Sequence, residues 1–108
     1  MNQWFAANIL FKSVHSSPQA VADTLWEESI RLVSAETLED AHRKAELLGR
    51  SAEVSFDVNE SDRVRWVFVK VERIFEIRDE SFAHGLEVFS RFLRQSEVES
   101  ILKPFDDN

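Results

Sequence analysis

One segment, residues 63–77, constrains the fold of this chain more than any other part of the sequence. In a strand, successive side chains point to opposite faces of the sheet. One face of this segment carries Val67, Val69, Val71, Arg73, Phe75 and Ile77, and the other carries Val64, Trp66, Phe68, Lys70, Glu72 and Ile74. The first face is apolar except for Arg73 and predicts a core wall that a helix covers. The second mixes aromatic and charged side chains, which predicts a surface for a partner.

Length and composition predict a single folded domain spanning residues 1–108. The hydrophobic fraction is 44%, and the chain contains nine Phe and three Trp. A chain of this length buries roughly two-thirds of its unfolded surface, which is enough for one core. There is no cysteine. This excludes disulfides, thiolate metal ligands and cysteine nucleophiles, and it fits a reducing cytoplasm.

The net charge narrows the classes of partner. Its formal value is −7 at pH 7, which disfavours attraction to phosphate groups or anionic lipids. The first residues lack the basic region of a secretory signal, and the apolar run over residues 4–11 is too short to span a bilayer. We therefore expect a cytoplasmic protein with a protein partner or a homodimer, and with no nucleic acid and no membrane bound.

Alternating apolar residues predict three further strands, over residues 4–14, 25–33 and 54–58. Residues 59–62 are all polar and predict a four-residue hairpin loop that leads into the long strand. The apolar spacing over residues 86–93 fits a helix or a strand, and we favour a strand. Because strands joined by short links usually pair with their neighbours, the sheet is expected to be antiparallel.

Capping signals predict two helices. Thr37 begins the first, over residues 37–48, with Asp40 completing a capping box and Gly49 ending the helix. Ser96 and Glu99 predict a second capping box, which opens a short C-terminal helix.

The first helix has an apolar stripe at helical spacing, formed by Leu38, Ala41, Ala45 and Leu48. We expect this stripe to pack on Val67, Val69 and Val71. The predicted fold class is therefore α+β, with an antiparallel sheet of four to five strands, one main helix packed on one face and a short C-terminal helix.

No group of residues matches the spacing of a catalytic or metal-binding motif. His15, His42 and His84 share no metal-ligand spacing, and no thiolates are present to join them. Two glycines cannot form a glycine-rich loop for phosphate. We therefore predict no catalytic residue, no metal and no cofactor.

Two neighbouring carboxylates, Glu27 and Glu28, lie in the second predicted strand and point to opposite faces of it. Glu28 shares its face with apolar side chains. If that face is buried, the Glu28 carboxylate needs a partner, and Arg73 is the candidate. A β-bulge that turns Glu28 towards solvent is the alternative. Both structural roles are favoured over that of a general acid.

Basic and aromatic residues alternate along the long strand, as they do in platforms for single-stranded nucleic acid. The pattern comprises Arg63, Arg65, Trp66, Phe68, Lys70 and Arg73. Glu72 and Glu76 interrupt it, and the chain as a whole is acidic. We therefore interpret the segment as a charged, twisted strand.

Several blocks of sequence form a recognisable set. They are Trp-Phe-Ala-Ala at 4–7 with Leu-Phe at 10–11, Leu-Trp-Glu-Glu-Ser-Ile at 25–30, residues 41–45 with Gly49, Val-Arg-Trp-Val-Phe at 64–68, and Glu-Val-Phe-Ser-Arg-Phe at 87–92. Together they resemble the domain-of-unknown-function family 4288, a small bacterial family, over nearly the whole chain. The Leu-Trp-Glu-Glu-Ser block is the most specific. The resemblance implies a stand-alone bacterial domain whose shared pattern includes Trp26, Glu27, Glu28 and Trp66, and it implies no activity or cofactor.

These observations favour a non-enzymatic function, in which a small acidic protein binds a macromolecular partner or itself through the aromatic-charged sheet face. The predicted partner-binding residues, expected to form one continuous surface, are Trp4, Glu27, Arg31, Trp66, Phe68 and Lys70. One version is an inhibitor or immunity-type protein that docks on a basic enzyme, because opposite charges steer such encounters. The alternative is a small enzyme or ligand-binding protein with a pocket on the open sheet face, using Glu27 or Glu28, Arg65 and Trp66.

Overall fold

The computed structural model describes residues 2–17, 24–78 and 82–103. In chain order they form β1 (Gln3–His15), β2 (Trp26–Ala35), α1 (Leu38–Ser51), β3 (Val54–Asn59), β4 (Asp62–Ile77) and α2 (Gln95–Leu102). The four strands make one antiparallel sheet in the order β2-β1-β4-β3. The predicted α+β class is confirmed, with four strands, one main helix on the sheet and a short C-terminal helix.

The fifth strand that we favoured over residues 86–93 is wrong, since these residues form neither strand nor helix. Instead, the Phe89 ring packs on the Phe75 ring, with 5.9 Å between the ring centroids. The segment therefore lies against a face of the sheet and does not extend an edge. It follows a turn at Gly85, whose φ of 88° is a conformation that glycine adopts without strain.

The local signals for α1 are accurate at its start and wrong at its end. Thr37 caps the helix, because its Oγ1 accepts a hydrogen bond of 3.0 Å from the Asp40 backbone N–H. The predicted capping box required the Asp40 carboxylate to turn back towards the backbone of Thr37. Instead, this carboxylate pairs with Arg43 and Lys44 within the helix. The helix continues through Gly49 to Ser51.

Gly49 has a packing role, which explains why it does not end the helix. It is buried, and a Cβ atom at this position would overlap the Phe68 ring and lie 3.2 Å from Cγ2 of Ile9. The missing side chain therefore lets α1 approach the sheet closely at this point. Ala41 and Ala45, each with no exposed surface, serve the same approach along the preceding turns.

Two β-bulges in β4 determine which of its side chains face α1. In the pairing with β1, Phe68 lies opposite Phe11 and Val71 lies opposite Ile9, which leaves Val69 as an extra residue. A second shift leaves Glu72 unpaired. Directly opposite residues share a face, and each bulge shifts the alternation of side chains by one residue. Phe68 and Val71 therefore share a face, although strict alternation would separate them.

The prediction that α1 covers Val67, Val69 and Val71 is consequently correct for Val71 alone. Val67 lies opposite Lys12 on the other face, and Val69 occupies a bulge. The alternation separates the two sets of side chains as predicted, and the two bulges exchange only Lys70 and Val71. The set that lies under α1 is the other one, with Trp66, Phe68 and Ile74, because the alternation alone does not say which face a helix covers.

The core lies between α1 and the face of the sheet that we call the inner face. Its buried members are Phe5, Ala7, Ile9, Phe11, Val33, Ala35, Ala41, Ala45 and Val71, and its partly buried members are Leu48, Ala52, Trp66, Phe68 and Ile74. Leu38, which was predicted to join this contact, is exposed because it begins the helix beyond the edge of the packing. The opposite side of the sheet is called the outer face below.

The two remaining predicted boundaries shift by one or two residues. Asn59 pairs with Asp62, so the hairpin turn consists of Glu60 and Ser61 and not of four residues. The predicted box of Ser96 with Glu99 is also wrong, since α2 begins at Gln95. The Glu97 carboxylate accepts a 2.8 Å hydrogen bond from the backbone N–H of Arg94 at the start of this helix.

Candidate functional site

The structure divides the predicted partner-binding residues between the two faces of the sheet. The register places four on the inner face: Glu27, Arg31, Trp66 and Phe68. The other two, Trp4 and Lys70, lie on the outer face. The continuous surface was expected if the second strand and the long strand were neighbours, whereas β1 lies between β2 and β4. The alternation of β1 places Trp4 on the outer face, and the bulge at Val69 puts Phe68 and Lys70 on opposite sides of the sheet.

Three of the inner-face residues meet in a hollow next to the end of α1. The hollow has a volume of about 280 Å³ and is lined by Phe11, Glu27, Arg31, Ala52, Val54, Phe56 and Trp66. The sheet curls so that side chains of its two edge strands, β2 and β3, border the same space. Phe11 and Trp66 form an aromatic base, and Glu27 and Arg31 supply one charge of each sign. Phe56 and Val54 also line the hollow, although they were not among the predicted partner-binding residues.

The outer face exposes large apolar side chains. Trp4, Trp26 and Ile30 are 42%, 48% and 51% exposed, and Lys12 lies with its Nζ 5.8 Å from the centroid of the Trp26 ring. Isolated exposed apolar side chains are ordinary, whereas a group of them on one face is uncommon in a monomeric protein. The partner-binding prediction omitted Trp26, although its place in the alternation of the second strand could have indicated it.

The central strand β1 places two buried residues on the outer face. On this side β1 contributes Ala6 and Asn8, both essentially buried. Ala6 pairs with Leu32 of β2 and with Phe75 of β4, so larger side chains stand on either side of it. Because these two residues have almost no exposed surface, neighbouring groups already cover them on the outer face.

The outer face is basic, although the protein as a whole is acidic. The register of the four strands places five cations on this face: Lys12, Arg63, Arg65, Lys70 and Arg73. It places two carboxylates there, those of Glu28 and Asp57. The formal charge of these seven side chains is therefore +3, against −7 for the chain. The sign of the charge on these seven side chains therefore differs from the sign of the net charge of the chain.

Asn8 lies at the centre of the outer face with part of its amide unsatisfied. Its Nδ2 donates a 2.8 Å hydrogen bond to Oε2 of Glu28. Its Oδ1 is buried and has no hydrogen-bond partner among the described residues. The expected pair of Glu28 with Arg73 is wrong, since the carboxylate bonds to Asn8 while Nε of Arg73 lies 3.4 Å from Oε1 of Glu72. Glu28 therefore orients a buried amide.

The chain segment after β4 covers one end of the outer face. The ring of Phe82 lies 5.9 Å from the ring of Trp4, centroid to centroid, and Phe89 contacts Phe75 at the same separation. Trp26 and Ile30, towards the other end, stay half exposed. The segment thus leaves most of the apolar patch uncovered.

A buried carboxylate, Asp62, joins the end of β1 to the start of β4. His15 Nδ1 donates to its Oδ2 at 2.6 Å, and the Ser17 backbone N–H donates to its Oδ1 at 3.1 Å. The hydrogen bond from His15 is the main reason that the pKa of Asp62 lies below its ordinary value, and burial opposes that shift. Sequence reasoning missed this pair, because 47 positions separate the two residues.

Across residues 2–17, 24–78 and 82–103, no three His, Asp or Glu side chains gather so that they could hold a metal ion. Among the helices of the described chain, none is long and apolar enough to cross a membrane.

A family model described as a domain of unknown function, DUF4288, matches residues 4–90. Comparison with curated proteins and comparison with solved structures each gave no match. The matched span contains all four strands, α1 and every predicted partner-binding residue, whereas α2 follows it. The chain belongs to the DUF4288 family.

Proposed function

We propose that this protein is a non-enzymatic interaction protein that binds a protein partner through its outer face. The observation that carries the proposal is the group of half-exposed Trp4, Trp26 and Ile30 on a face with a formal charge of +3. Covering such a patch removes apolar surface from water, which is the main driving force of association. Trp and Arg side chains are also the most frequent anchors of protein interfaces.

The local charge of the outer face favours an acidic partner. Charges act over about 8 Å at physiological ionic strength, so a docked partner responds mainly to Lys12, Lys70 and Arg73. The inhibitor or immunity-type version assumed a basic enzyme as partner, and its only support was the net charge. The outer face itself is basic, so the net charge of the chain does not favour a basic partner there. We propose instead a partner surface with an apolar centre and carboxylates around it.

A protein partner accounts for the patch better than a nucleic acid does. Single-stranded nucleic acid uses aromatic side chains as stacking platforms, whereas Ile30 and Leu32 are aliphatic. An extended polyanion also interacts with the whole chain, whose formal charge is −7. The absence of cysteine supports a reducing, cytoplasmic location for the complex.

Site-specific photo-crosslinking tests the proposal. A benzophenone side chain at position 30, on the outer face, is compared with one at position 38, where Leu38 is 59% exposed on α1. In lysate of the source cells, we expect a protein adduct from position 30 and none from position 38. The double variant Lys12→Glu/Lys70→Glu should weaken the adduct from position 30. Equal adducts at both positions, or a nuclease-sensitive adduct at position 30, would contradict the proposal.

The hollow beside α1 supports a second candidate, the binding of a small ligand. Of the residues in the alternative, pocket-based prediction, Glu27 and Trp66 line this hollow, whereas Glu28 and Arg65 lie on the outer face. Its charged groups suit a small molecule with an apolar body that carries both an ammonium and a carboxylate group. Titration with free aromatic amino acids, followed by NMR at the Trp66 indole, tests this candidate. Saturable shifts that disappear in Glu27→Gln would support it, and their absence would leave the hollow as a surface feature.

A further inference from the structure

We propose that the free edge of β2 is a dimerisation site, at which two copies of the chain pair antiparallel over residues 26–32 and join their sheets into one. This site lies along the edge of the sheet, so the inference goes beyond the proposed function of the outer face. An open strand edge binds another extended backbone. The backbone hydrogen bonds of β2, its charges and one lysine of α1 together favour a second copy of β2 in a single register.

The edge of β2 is open and regular. This strand has ten residues and no bulge in its pairing with β1, and its exposed residues are 26–28 and 30–32. Among the described residues, no other segment forms a backbone hydrogen bond to its free side. The opposite edge strand, β3, has only six residues and a register shift in its pairing with β4. Short strands and bulges hinder the addition of another strand, so β2 is the edge suited to pairing.

The direction of the backbone groups of β2 follows from one hydrogen bond. The Ser13 backbone N–H donates to the Leu25 carbonyl at 3.0 Å, and these residues lie opposite each other when the register of β1 and β2 is continued. Backbone groups along a strand point alternately to its two sides. The odd-numbered residues of β2 therefore bond to β1. The backbone N–H and C=O groups of Glu28, Ile30 and Leu32 point towards the free side.

A lysine limits how far this free edge extends. The Ser34 carbonyl accepts a 2.7 Å hydrogen bond from Nζ of Lys44, which reaches it from α1. Lysine side chains at a strand edge are a common obstacle to further pairing. The contact closes the edge at Ser34 and leaves residues 26–32 open.

Only one register of two identical strands suits this open segment. Residues whose backbone groups point outwards must lie opposite one another about a two-fold axis. An axis at Ser29 meets this condition and centres the pairing on residues 26–32. An axis at Glu28 would set two carboxylates directly against each other. An axis at Ile30 would extend the pairing to Ser34, whose carbonyl is already bonded.

The register centred on Ser29 matches the charges of the two copies. It places Glu27 directly opposite Arg31 of the second copy, and the symmetry forms this pair twice. Both positions lie between hydrogen-bonded pairs of the new ladder, where facing side chains come closest. Within the described part of one chain, neither side chain forms an ion pair. Opposite charges at facing strand positions stabilise the pairing of the strands.

The same register also brings apolar side chains together. On the outer face, Trp26 lies beside Leu32 of the second copy, and both are about half exposed in the single chain. On the inner face, Leu25 lies opposite Val33 of the second copy. There it reaches a groove between α1 and β2 that has a volume of about 510 Å³ and includes Leu47 in its lining. Both contacts remove apolar surface from water, which favours association.

Sedimentation equilibrium of charge-reversal variants is the first test. The wild-type chain should form a reversible dimer. Glu27→Arg alone, or Arg31→Glu alone, sets like charges opposite each other twice and should raise the dissociation constant by about tenfold or more. The double variant Glu27→Arg/Arg31→Glu restores opposite charges at both pairs without changing the net charge of the chain. We expect this variant to dimerise as the wild type does.

A matched control separates this local effect from a change in net charge. Glu60→Arg makes the same change of charge in the exposed turn between β3 and β4 and should keep the dimer. An equimolar mixture of the two single variants should form heterodimers, because each facing pair then has opposite charges. A wild-type chain that is monomeric at millimolar concentration would overturn the inference. So would single variants that dimerise normally, or a double variant that stays as weak as the singles.

A cysteine on the axis tests the register directly. The chain has no cysteine, so Ser29→Cys introduces one thiol that faces its own copy. Residues opposite each other between hydrogen-bonded pairs have Cα atoms about 4.5 Å apart, a separation that a disulfide can bridge. Under mild oxidation we expect a covalent dimer from Ser29→Cys. Ser55→Cys, which changes an exposed serine of the other edge strand, is the control and should give none. The reverse result would place self-association at β3 and overturn the assignment.

The two proposals fail independently, and the mass of the photo-crosslinked adduct from position 30 distinguishes them. Ile30 lies opposite Glu28 of the second copy, so the dimer gives an adduct of twice the mass of the chain. A monomeric chain that crosslinks to a different protein would refute the dimer and keep the proposed function. A dimer whose position 30 gives only the adduct of twice the mass would support the dimer and contradict the proposed function.

Discussion

Two isoleucines show how differently the two faces of one sheet behave. Ile9 of β1 and Ile30 of β2 lie on adjacent strands, since Ile30 pairs with Asn8. Ile9 is 1% exposed under α1, and Ile30 is 51% exposed on the outer face. Ile9 lies in a central strand beneath α1, and Ile30 lies in an edge strand on the face away from α1, so position in the sheet and the covering helix both contribute to the difference. The inner face holds the core between the sheet and α1, and the outer face keeps apolar surface exposed.

The largest expected effect separates these two isoleucines. Ile9→Ala should lower the free energy of unfolding by about 3–5 kcal/mol, because it leaves a cavity in a closed core. Ile30→Ala should cost less than about 1 kcal/mol, because its side chain already contacts water. Urea titration at low protein concentration, where association is negligible, measures both. Equal losses would mean that the outer face is covered within the monomer.

A smaller effect is expected where α1 comes closest to the inner face. In Gly49→Ala the new methyl group must displace the Phe68 ring, at a cost of about 1–3 kcal/mol. The higher helix propensity of alanine returns about 1 kcal/mol. We expect a net loss of about 1 kcal/mol in thermal or urea unfolding, relieved in Gly49→Ala/Phe68→Leu. A gain in stability would show that α1 and the sheet are farther apart at this point.

The next prediction concerns the N-terminal cap of α1, the helix that covers the inner face. Thr37→Ala removes the acceptor of the Asp40 backbone N–H and should cost about 1 kcal/mol. Hydrogen exchange at residues 38–40 should accelerate, whereas exchange in the sheet far from the helix should change less. Unchanged exchange at these three amides would contradict the capping role.

The last prediction concerns the loss of stability at acid pH. The hydrogen bond from His15 keeps the pKa of Asp62 below its ordinary value. The carboxylate therefore stabilises the fold above the ordinary carboxyl pKa, and this contribution is lost as the pH falls through the pKa of the folded state. Asp62→Asn should flatten the acid limb of stability against pH. Asp57→Asn, which changes an exposed carboxylate paired with Arg63, is the control and should leave that limb in place.

Local sequence signals predicted the elements well because their causes are local. The Thr37 cap involves residues three positions apart, and the alternation of β1 follows from one strand alone. These features require no knowledge of what packs against them. The α+β class follows from the order of such elements.

The sides of β4 could not be predicted, because they depend on its pairing with a distant strand. The bulges at Val69 and Glu72 arise in the alignment of β4 with β1, and no residue within β4 marks them. The bulge at Val69 separated Trp66 and Phe68 from Lys70, whereas the choice of the face that α1 covers depends on the packing of the helix and not on β4. Gly49 was misread for a similar reason, since its role depends on the Phe68 ring and not on its helix.

The two bulges also bear on how related sequences should be compared. Val69 and Glu72 are extra residues in the pairing with β1. The strand β4 therefore has sixteen residues, whereas a strand without bulges would pair with the same length of β1 using fewer. A homologue could gain or lose a residue at either position without exchanging the faces of the flanking side chains. Alignments of DUF4288 sequences should therefore tolerate single-residue gaps at 69 and 72. A single-residue gap elsewhere in β4 would exchange the faces of the side chains that follow it, and would therefore indicate different core residues.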